Sequence, residues 1–128
     1  MNKRKKKEEK EESVILTEIA IQGMQEKKGI DIVCLDLRNL NHAVSDFFVI
    51  CHGDSSTQVG AIADSVENEI RKATGEKPWH REGFENAEWI LLDYVNVVVH
   101  VFQKSSRDFY KLEALWGDAE IQEVASLA

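Results

Sequence analysis

The stretch from Trp89 to Trp116 constrains the fold of this chain more than any other part of the sequence. It contains two apolar runs, Trp89–Tyr94 and Val97–Gln103, each of a length typical of β-strands. Only Val95 and Asn96 separate the two runs. This spacing predicts an antiparallel hairpin, because asparagine tolerates the positive φ angle that tight turns demand.

A helix is predicted directly after the second of these strands. Ser105, followed three residues later by Asp108, has the spacing of an N-terminal cap, and Gly117 is a typical helix stop. The apolar side chains between them recur at helical spacing and predict one buried stripe. Its members are Phe109, Leu112, Leu115 and Trp116.

The remaining elements follow from the same two periodicities. Helices are predicted from Ser13 to about Gly29, and from a capping box at Ser55 and Gln58 to Thr74-Gly75. Apolar runs predict strands over 31–37 and 46–52 with a turn at 38–45, and residues 76–88 predict a loop with a short edge strand. The fold class is therefore α/β (α+β), a single domain whose mixed sheet of about five strands is flanked by helices. The domain is placed at 13–118, between a charged flexible tail at 1–12 and a C-terminal tail at 119–128.

The charges are unevenly distributed. Residues 1–12 contain six Lys/Arg and four Glu, whereas the other 116 residues contain ten Lys/Arg and nineteen Asp/Glu. So acidic a body is poorly suited to DNA or bare RNA, and RNA contact is expected at most peripherally, through Lys3–Lys7. It suits a basic protein partner instead. No apolar run is long enough to cross a membrane and no secretory signal is present, so a cytoplasmic location is expected.

The junction between the strand at 46–52 and the next helix is a candidate phosphate site. Gly53, Ser55 and Ser56 could present backbone N–H groups to a nucleotide phosphate. Nucleotidyltransferases combine such a turn with paired acidic residues on a strand that hold metal ions. No Asp-x-Asp or Asp-x-Glu lies on any predicted strand, and the four histidines lack metal-ligand spacing. A plain helix cap is the favoured interpretation, a nucleotide-binding enzyme is the alternative, and no metal or other cofactor is expected.

A surface on the strand that begins at Trp89 is the other candidate site. Strand alternation places Trp89, Leu91 and Asp93 on one face, and Glu82 lies just before this strand. An exposed tryptophan among acidic residues is a suitable anchor for a basic partner. The pattern alone leaves open whether Trp89 lies on the surface or in the core.

Several short motifs follow one another in a characteristic order between residues 12 and 118. They are DIVCLDL at 31–37, DFFVICHGDSS at 46–56, AIAD at 61–64, EG at 82–83, AEWILLD at 87–93, VVHVF at 98–102, Arg107, YKLE at 110–113 and LW at 115–116. In this order and spacing the chain resembles the ribosomal silencing factor family, also called RsfS, Iojap or YbeB-like. Each motif is weak alone, and their succession is specific.

The resemblance implies a nucleotidyltransferase-like domain without catalytic residues and without enzymatic activity. It implies binding to the large ribosomal subunit, through its protein number fourteen, on the face that meets the small subunit. Such a factor blocks subunit joining and represses translation when nutrients are short. A homodimer is permitted and not required. The hairpin turn of this family usually carries a glycine, whereas this chain has Val95-Asn96.

Overall fold

The computed structural model describes the backbone of residues 3–124 and the side chains of residues 11–124. Helices and strands follow one another in the order α1 (Lys3–Glu26), β1 (Ile30–Asp36), β2 (Phe47–Gly53), α2 (Ser56–Thr74), β3 (His80–Glu82), β4 (Trp89–Asp93), β5 (Val97–Gln103), α3 (Lys104–Tyr110), α4 (Leu112–Leu115) and β6 (Glu120–Glu123).

All the strands join one sheet in the order β3-β4-β5-β2-β1-β6. Strands β2 and β5 are parallel, and the other neighbours are antiparallel. Helices α1 and α2 pack on one side, which we call the back face, and the opposite side is the front face. The predicted α/β class with a mixed sheet is confirmed.

Within residues 3–124 the sheet has six strands rather than about five. The additional strand is β6, which lies within the segment 119–128 that the sequence places in a C-terminal tail. It pairs antiparallel with β1, with Ile121 opposite Leu35. The sequence pattern misses this strand because Ile121 is its only apolar residue, and its order comes from hydrogen bonding to β1 rather than from a buried face.

Helix α1 begins at Lys3, ten residues before the predicted start at Ser13. The added part consists mainly of lysine and glutamate, which are strong helix formers. Residues 3–12 therefore belong to α1. The side chains of Lys3–Lys7, the predicted point of peripheral rRNA contact, lie outside the described residues.

The back face contains the larger part of the core. Strand residues that point backwards pack against the buried faces of α1 and α2, with Ile62, Val66 and Ile70 fully buried on α2. The two helices approach closely at Gly23, whose carbonyl oxygen accepts a hydrogen bond of 2.8 Å from the Ser65 hydroxyl. A Cβ atom at Gly23 would lie 2.8 Å from the Cα atom of Val66. Gly23 thus sets the spacing of the helix pair.

Substituting Gly23→Ala is expected to lower the free energy of unfolding by about 1–3 kcal/mol, because the added methyl group meets backbone that cannot rotate away. The matched control is Gly60→Ala in α2, where an added Cβ has no neighbour within 4 Å. That change is expected to stabilise the protein by up to about 1 kcal/mol through helix propensity. Urea unfolding of both variants measures the difference; equal midpoints would contradict the close approach.

The predicted boundaries of α2 are confirmed. The Ser55 hydroxyl accepts a hydrogen bond of 3.1 Å from the Gln58 backbone N–H, as an N-cap does. At the other end Gly75 adopts a left-handed conformation with φ 77° and donates its N–H to the Arg71 carbonyl oxygen.

The β4–β5 hairpin is confirmed, but its turn is not built as predicted. The positive φ angle, 74°, belongs to Val95 and not to Asn96. The Asn96 N–H donates to the Tyr94 carbonyl oxygen at 3.0 Å, so Val95 is the centre of a γ-turn, a strained position for a β-branched residue. The Asp93 carboxylate accepts from the Val95 N–H at 2.7 Å and the Ser45 hydroxyl donates to the Val95 carbonyl oxygen, and these contacts hold the turn.

The predicted helix after β5 is wrong in its start and in its buried stripe. It begins at Lys104 with Gln103 as N-cap, without a side-chain cap from Ser105. The helix breaks at Lys111, which has a left-handed φ of 48°. A separate helix, α4, begins at Leu112, so the helical periodicity does not continue across the break. Leu112 is buried and Trp116 packs on Phe48, whereas Phe109 and Leu115 are 78% and 74% exposed.

Candidate functional site

The predicted surface residues Glu82, Trp89, Leu91 and Asp93 share one patch of the front face. Glu82 lies directly opposite Leu91 in the pairing of β3 with β4, so the two side chains point the same way. Trp89 and Asp93 are two residues from Leu91 on either side, and strand alternation places them on the same face. The predicted placement of Trp89, Leu91 and Asp93 on one face agrees with the burial pattern of β4, and the strand pairing adds Glu82 to that face.

The back-facing neighbours support this orientation. Ile90, Leu92 and Tyr94 are buried, as the alternation predicts. Arg81, which alternates with Glu82 in β3, reaches back to the α2 carboxylate of Glu67 at 2.8 Å. The edge strand β3 is therefore tied to the helical side of the sheet.

Exposure varies within the patch. Glu82 is exposed, whereas Trp89, Leu91 and Asp93 are half-buried. The middle of the front face is covered by α3, α4 and the segment that follows, but this cover packs on β2 and β5 and leaves the β3–β4 end partly open. Trp89 is thus neither fully on the surface nor in the core, which answers the question that the sequence left open.

Contacts on several sides orient the indole of Trp89. Its ring stacks on Phe102 with centroids 4.9 Å apart, and the Tyr110 ring of α3 lies at the same centroid distance. Its Nε1–H donates a hydrogen bond of 3.1 Å to Nδ1 of His100 on β5. A half-exposed aromatic ring held in this way offers contact area at little entropic cost.

Other residues of this region were not assigned to the candidate site by sequence reasoning. Tyr110 is half exposed beside Trp89, and Phe109 packs edge-on against Tyr110 with centroids 5.0 Å apart. The imidazole of His80 lies 3.1 Å from the Glu82 carboxylate. Phe109 was missed because the sequence pattern assigns it to a buried stripe, whereas α3 buries Arg107 and leaves Phe109 and Tyr110 exposed.

The electrostatic character of the patch is acidic. Glu82 and Asp93 carry carboxylates within it, and Glu85 and Glu88 are exposed in the loop that leads into β4. One oxygen of Asp93 accepts from the Val95 N–H, so this carboxylate also stabilises the hairpin turn. A surface of this charge favours a basic partner and disfavours nucleic acid.

The candidate phosphate site at 53–56 is filled by the protein itself. The side-chain oxygen of Gln58 accepts from the Asp54 N–H at 2.7 Å, and the Ser55 hydroxyl accepts from the Gln58 N–H. A Cβ atom at Gly53 would lie 3.2 Å from the same Gln58 oxygen. Gln58 therefore occupies the space and takes a donor that a phosphate would need, which disfavours the nucleotide-binding alternative.

The carboxyl ends of the two parallel strands are also filled. The buried guanidinium of Arg107 donates to Nδ1 of His52 at 2.9 Å and to the Glu113 carboxylate at 3.1 Å. Burial and the adjacent Arg107 charge lower the pKa of His52, so its ring stays neutral and accepts the bond. These contacts connect α3 to β2 and α4, and they stabilise the fold.

Two further features concern the class of site. Among the residues that the structure describes, no group of three His, Cys, Asp or Glu side chains is arranged to hold a metal ion. No helix found between residues 3 and 124 has the length and apolar character to span a membrane.

Comparison with known proteins identifies the relatives of this chain. Residues 7–128 match the family model described as "Ribosomal silencing factor during starvation". The chain is 40% identical over 109 residues to the ribosomal silencing factors RsfS of Halalkalibacterium halodurans and Bacillus subtilis, covering 85% of this chain and 92% and 91% of those proteins. A crystal structure of a Chromobacterium violaceum protein superposes with a TM-score of 0.75 at 35% identity, covering 88% of this chain and 92% of that one.

Proposed function

Because the chain belongs to the ribosomal silencing factor family, we propose that it binds the large ribosomal subunit and prevents it from joining the small subunit. The contact is made with ribosomal protein number fourteen. In the cytoplasm, under nutrient limitation, this blockade represses translation. The protein acts without catalysis and without a cofactor.

The observation that carries the proposal is the front-face patch of Glu82, Trp89, Leu91 and Asp93. It combines a half-exposed tryptophan, a half-exposed leucine and two carboxylates on adjacent strands. Interfaces are typically anchored by a few such aromatic residues surrounded by a polar rim. The patch therefore has the composition of a protein-binding surface.

The charge of the body supports a protein rather than an RNA contact. The excess of nine acidic residues outside residues 1–12 repels phosphate and attracts a basic ribosomal protein. Electrostatic attraction accelerates encounter, and repulsion from rRNA limits binding at incorrect positions.

The bound protein blocks subunit joining by the volume that it occupies. A folded domain of 14.6 kDa bound on the joining face of the large subunit occupies space that the small subunit would fill. The two binding events are then mutually exclusive, and the affinity for free large subunits sets the fraction that is silenced. The protein makes and breaks no covalent bond.

The test is sedimentation of the purified protein with separated ribosomal subunits and with intact ribosomes at physiological salt. We expect the protein to sediment with free large subunits and to remain behind when intact ribosomes are sedimented. Recovery of the protein only in the ribosome-free fraction would refute the proposal.

Trp89→Ala is expected to weaken binding to the large subunit at least about thirtyfold, because anchor residues contribute about 2 kcal/mol or more. The matched control is Trp79→Ala. Trp79 is 82% exposed and lies before β3, outside the four residues of the patch. Thermal unfolding establishes that both variants are folded, and sedimentation measures their binding. Equal binding by the two variants would place the contact elsewhere.

A further inference from the structure

His100 is a polar side chain in the centre of the front-face core. It lies in the middle of β5, opposite Leu91 on one side and Ile50 on the other. It is only 3% exposed, and the Phe48 ring lies edge-on to it with centroids 4.7 Å apart. Such an environment favours an apolar residue, and a polar group here costs free energy unless it is hydrogen-bonded.

The hydrogen bonding of His100 is one-sided. Trp89 Nε1 can only donate, so Nδ1 of His100 is the acceptor and the ring proton is on Nε2. Nε2 has no hydrogen-bond partner among the described residues, although it is buried. Burial also lowers the pKa of His100 to about 3, so the ring remains neutral and Nδ1 remains an acceptor at physiological pH.

We propose that His100 is a positioning residue that fixes the orientation of the Trp89 indole for partner binding. This inference rests on the proposed function of the Trp89 patch and adds the group that prepares it. The bond from Nε1 to Nδ1 holds the indole against Phe102 and Tyr110 before the partner arrives. Pre-organisation of an anchor residue lowers the entropic cost of association.

A purely space-filling role does not explain the choice of histidine. Leucine has a similar volume, a central strand accepts it, and it would remove the buried Nε2–H that has no partner among the described residues, at the cost of the acceptor of the Trp89 indole N–H. The side-chain nitrogen of His100 that does make a bond makes it to Trp89, the residue proposed as the anchor. The polar group is thus retained where it orients the docking surface.

The test compares two variants, His100→Leu and His100→Asn. His100→Leu removes the acceptor while filling the space. The loss of the unpaired Nε2–H and the gain of an apolar side chain offset the freed indole N–H, so its unfolding temperature at pH 7 is expected to be close to that of the wild type. His100→Asn keeps an acceptor oxygen near the position of Nδ1, but it leaves a small cavity and a buried N–H, and it is expected to be less stable.

Binding to purified large subunits is expected in the opposite order. His100→Leu should bind about five- to tenfold more weakly than the wild type, the loss expected from one hydrogen bond, and His100→Asn should bind more tightly than His100→Leu. A structural role alone predicts that binding follows stability. Binding of the two variants in the same order as their stabilities would overturn the inference.

Nuclear magnetic resonance provides a readout without ribosomes. The indole N–H of Trp89 is expected to exchange with solvent more slowly in the wild type and in His100→Asn than in His100→Leu. Equal exchange in all three would overturn the inference while leaving the proposed function intact. Failure of the wild type itself to bind large subunits would refute the proposed function, and the positioning role for partner binding with it.

Discussion

Gly83→Ala is expected to abolish most of the stability of the native fold. Gly83 follows β3 with φ 90°, and a Cβ atom there would overlap the carbonyl oxygen of Trp89 and lie 2.9 Å from its carbonyl carbon. The strained φ alone costs about 1–2 kcal/mol. The overlap involves backbone on both sides, so side-chain rotation cannot relieve it. We expect the free energy of unfolding to fall by more than about 4 kcal/mol, with loss of binding to the large subunit.

The matched control for this change is Gly75→Ala. Gly75 also has a positive φ, 77°, but an added Cβ has no neighbour within 4 Å. Its substitution is expected to cost only the backbone strain of about 1–2 kcal/mol. Urea unfolding measures the loss of stability in both variants. The loss in Gly75→Ala gives the cost of positive φ, and the additional loss in Gly83→Ala gives the cost of the overlap with Trp89. Similar midpoints for both would show that the loop at Gly83 can move away from Trp89.

Acidification below pH 6.5 is expected to destabilise the protein strongly through His100. The pKa of the unfolded histidine is about 6.5, whereas burial lowers the pKa in the folded protein to about 3. Between these values the unfolded chain binds a proton that the folded chain does not, so the free energy of unfolding falls as the pH falls. The slope is about 1.4 kcal/mol per pH unit, on the order of 5 kcal/mol across the window.

Urea unfolding at a series of pH values between 7 and 4 measures this slope. His100→Leu is the reference. Its unfolding is expected to take up one proton fewer, so its free energy of unfolding should change less steeply with pH. His52 contributes in the same direction in both proteins, because burial and Arg107 lower its pKa, and this contribution cancels in the comparison. Identical slopes for the wild type and His100→Leu would show that His100 accepts a proton in the folded state.

Local periodicity explains why much of the architecture is predictable. The alternation of Trp89 with Ile90 has a period of two, and this period alone assigns the two faces of β4. The Ser55 cap and the Gly75 stop act within a few residues of α2, so the sequence around them is sufficient to place the helix ends. These features depend on near neighbours in the chain.

The features that sequence reasoning misses depend on distant contacts or on strain. Strand β6 is ordered by β1, which lies far earlier in the chain. The γ-turn places positive φ on Val95, the residue with the weaker intrinsic preference, because Ser45 and Asp93 hold it there. The helix breaks at Lys111, and no glycine in the sequence marks this position. Tertiary interactions override propensity at each position.

The sequence predicts that three of the four patch residues share a face, but it does not predict the contacts that support them. Glu82, Trp89, Leu91 and Asp93 follow from charge and alternation. The bond from Trp89 to His100 crosses between strands, and the Tyr110 ring reaches the patch from α3. No spacing in the sequence specifies which polar atom of a buried histidine lacks a partner, so the orientation of the indole emerges only from the folded arrangement of the two strands and α3.

The two edges of the sheet determine how other chains can recognise this protein. Strand β3 has three residues and β6 has four, all exposed, and both strands carry charged side chains. Short, charged edges offer few backbone hydrogen bonds and resist addition of a further strand. Recognition through backbone pairing would tolerate many partner sequences, whereas contact through side chains does not. Short, charged edges of this kind therefore disfavour recognition by strand addition.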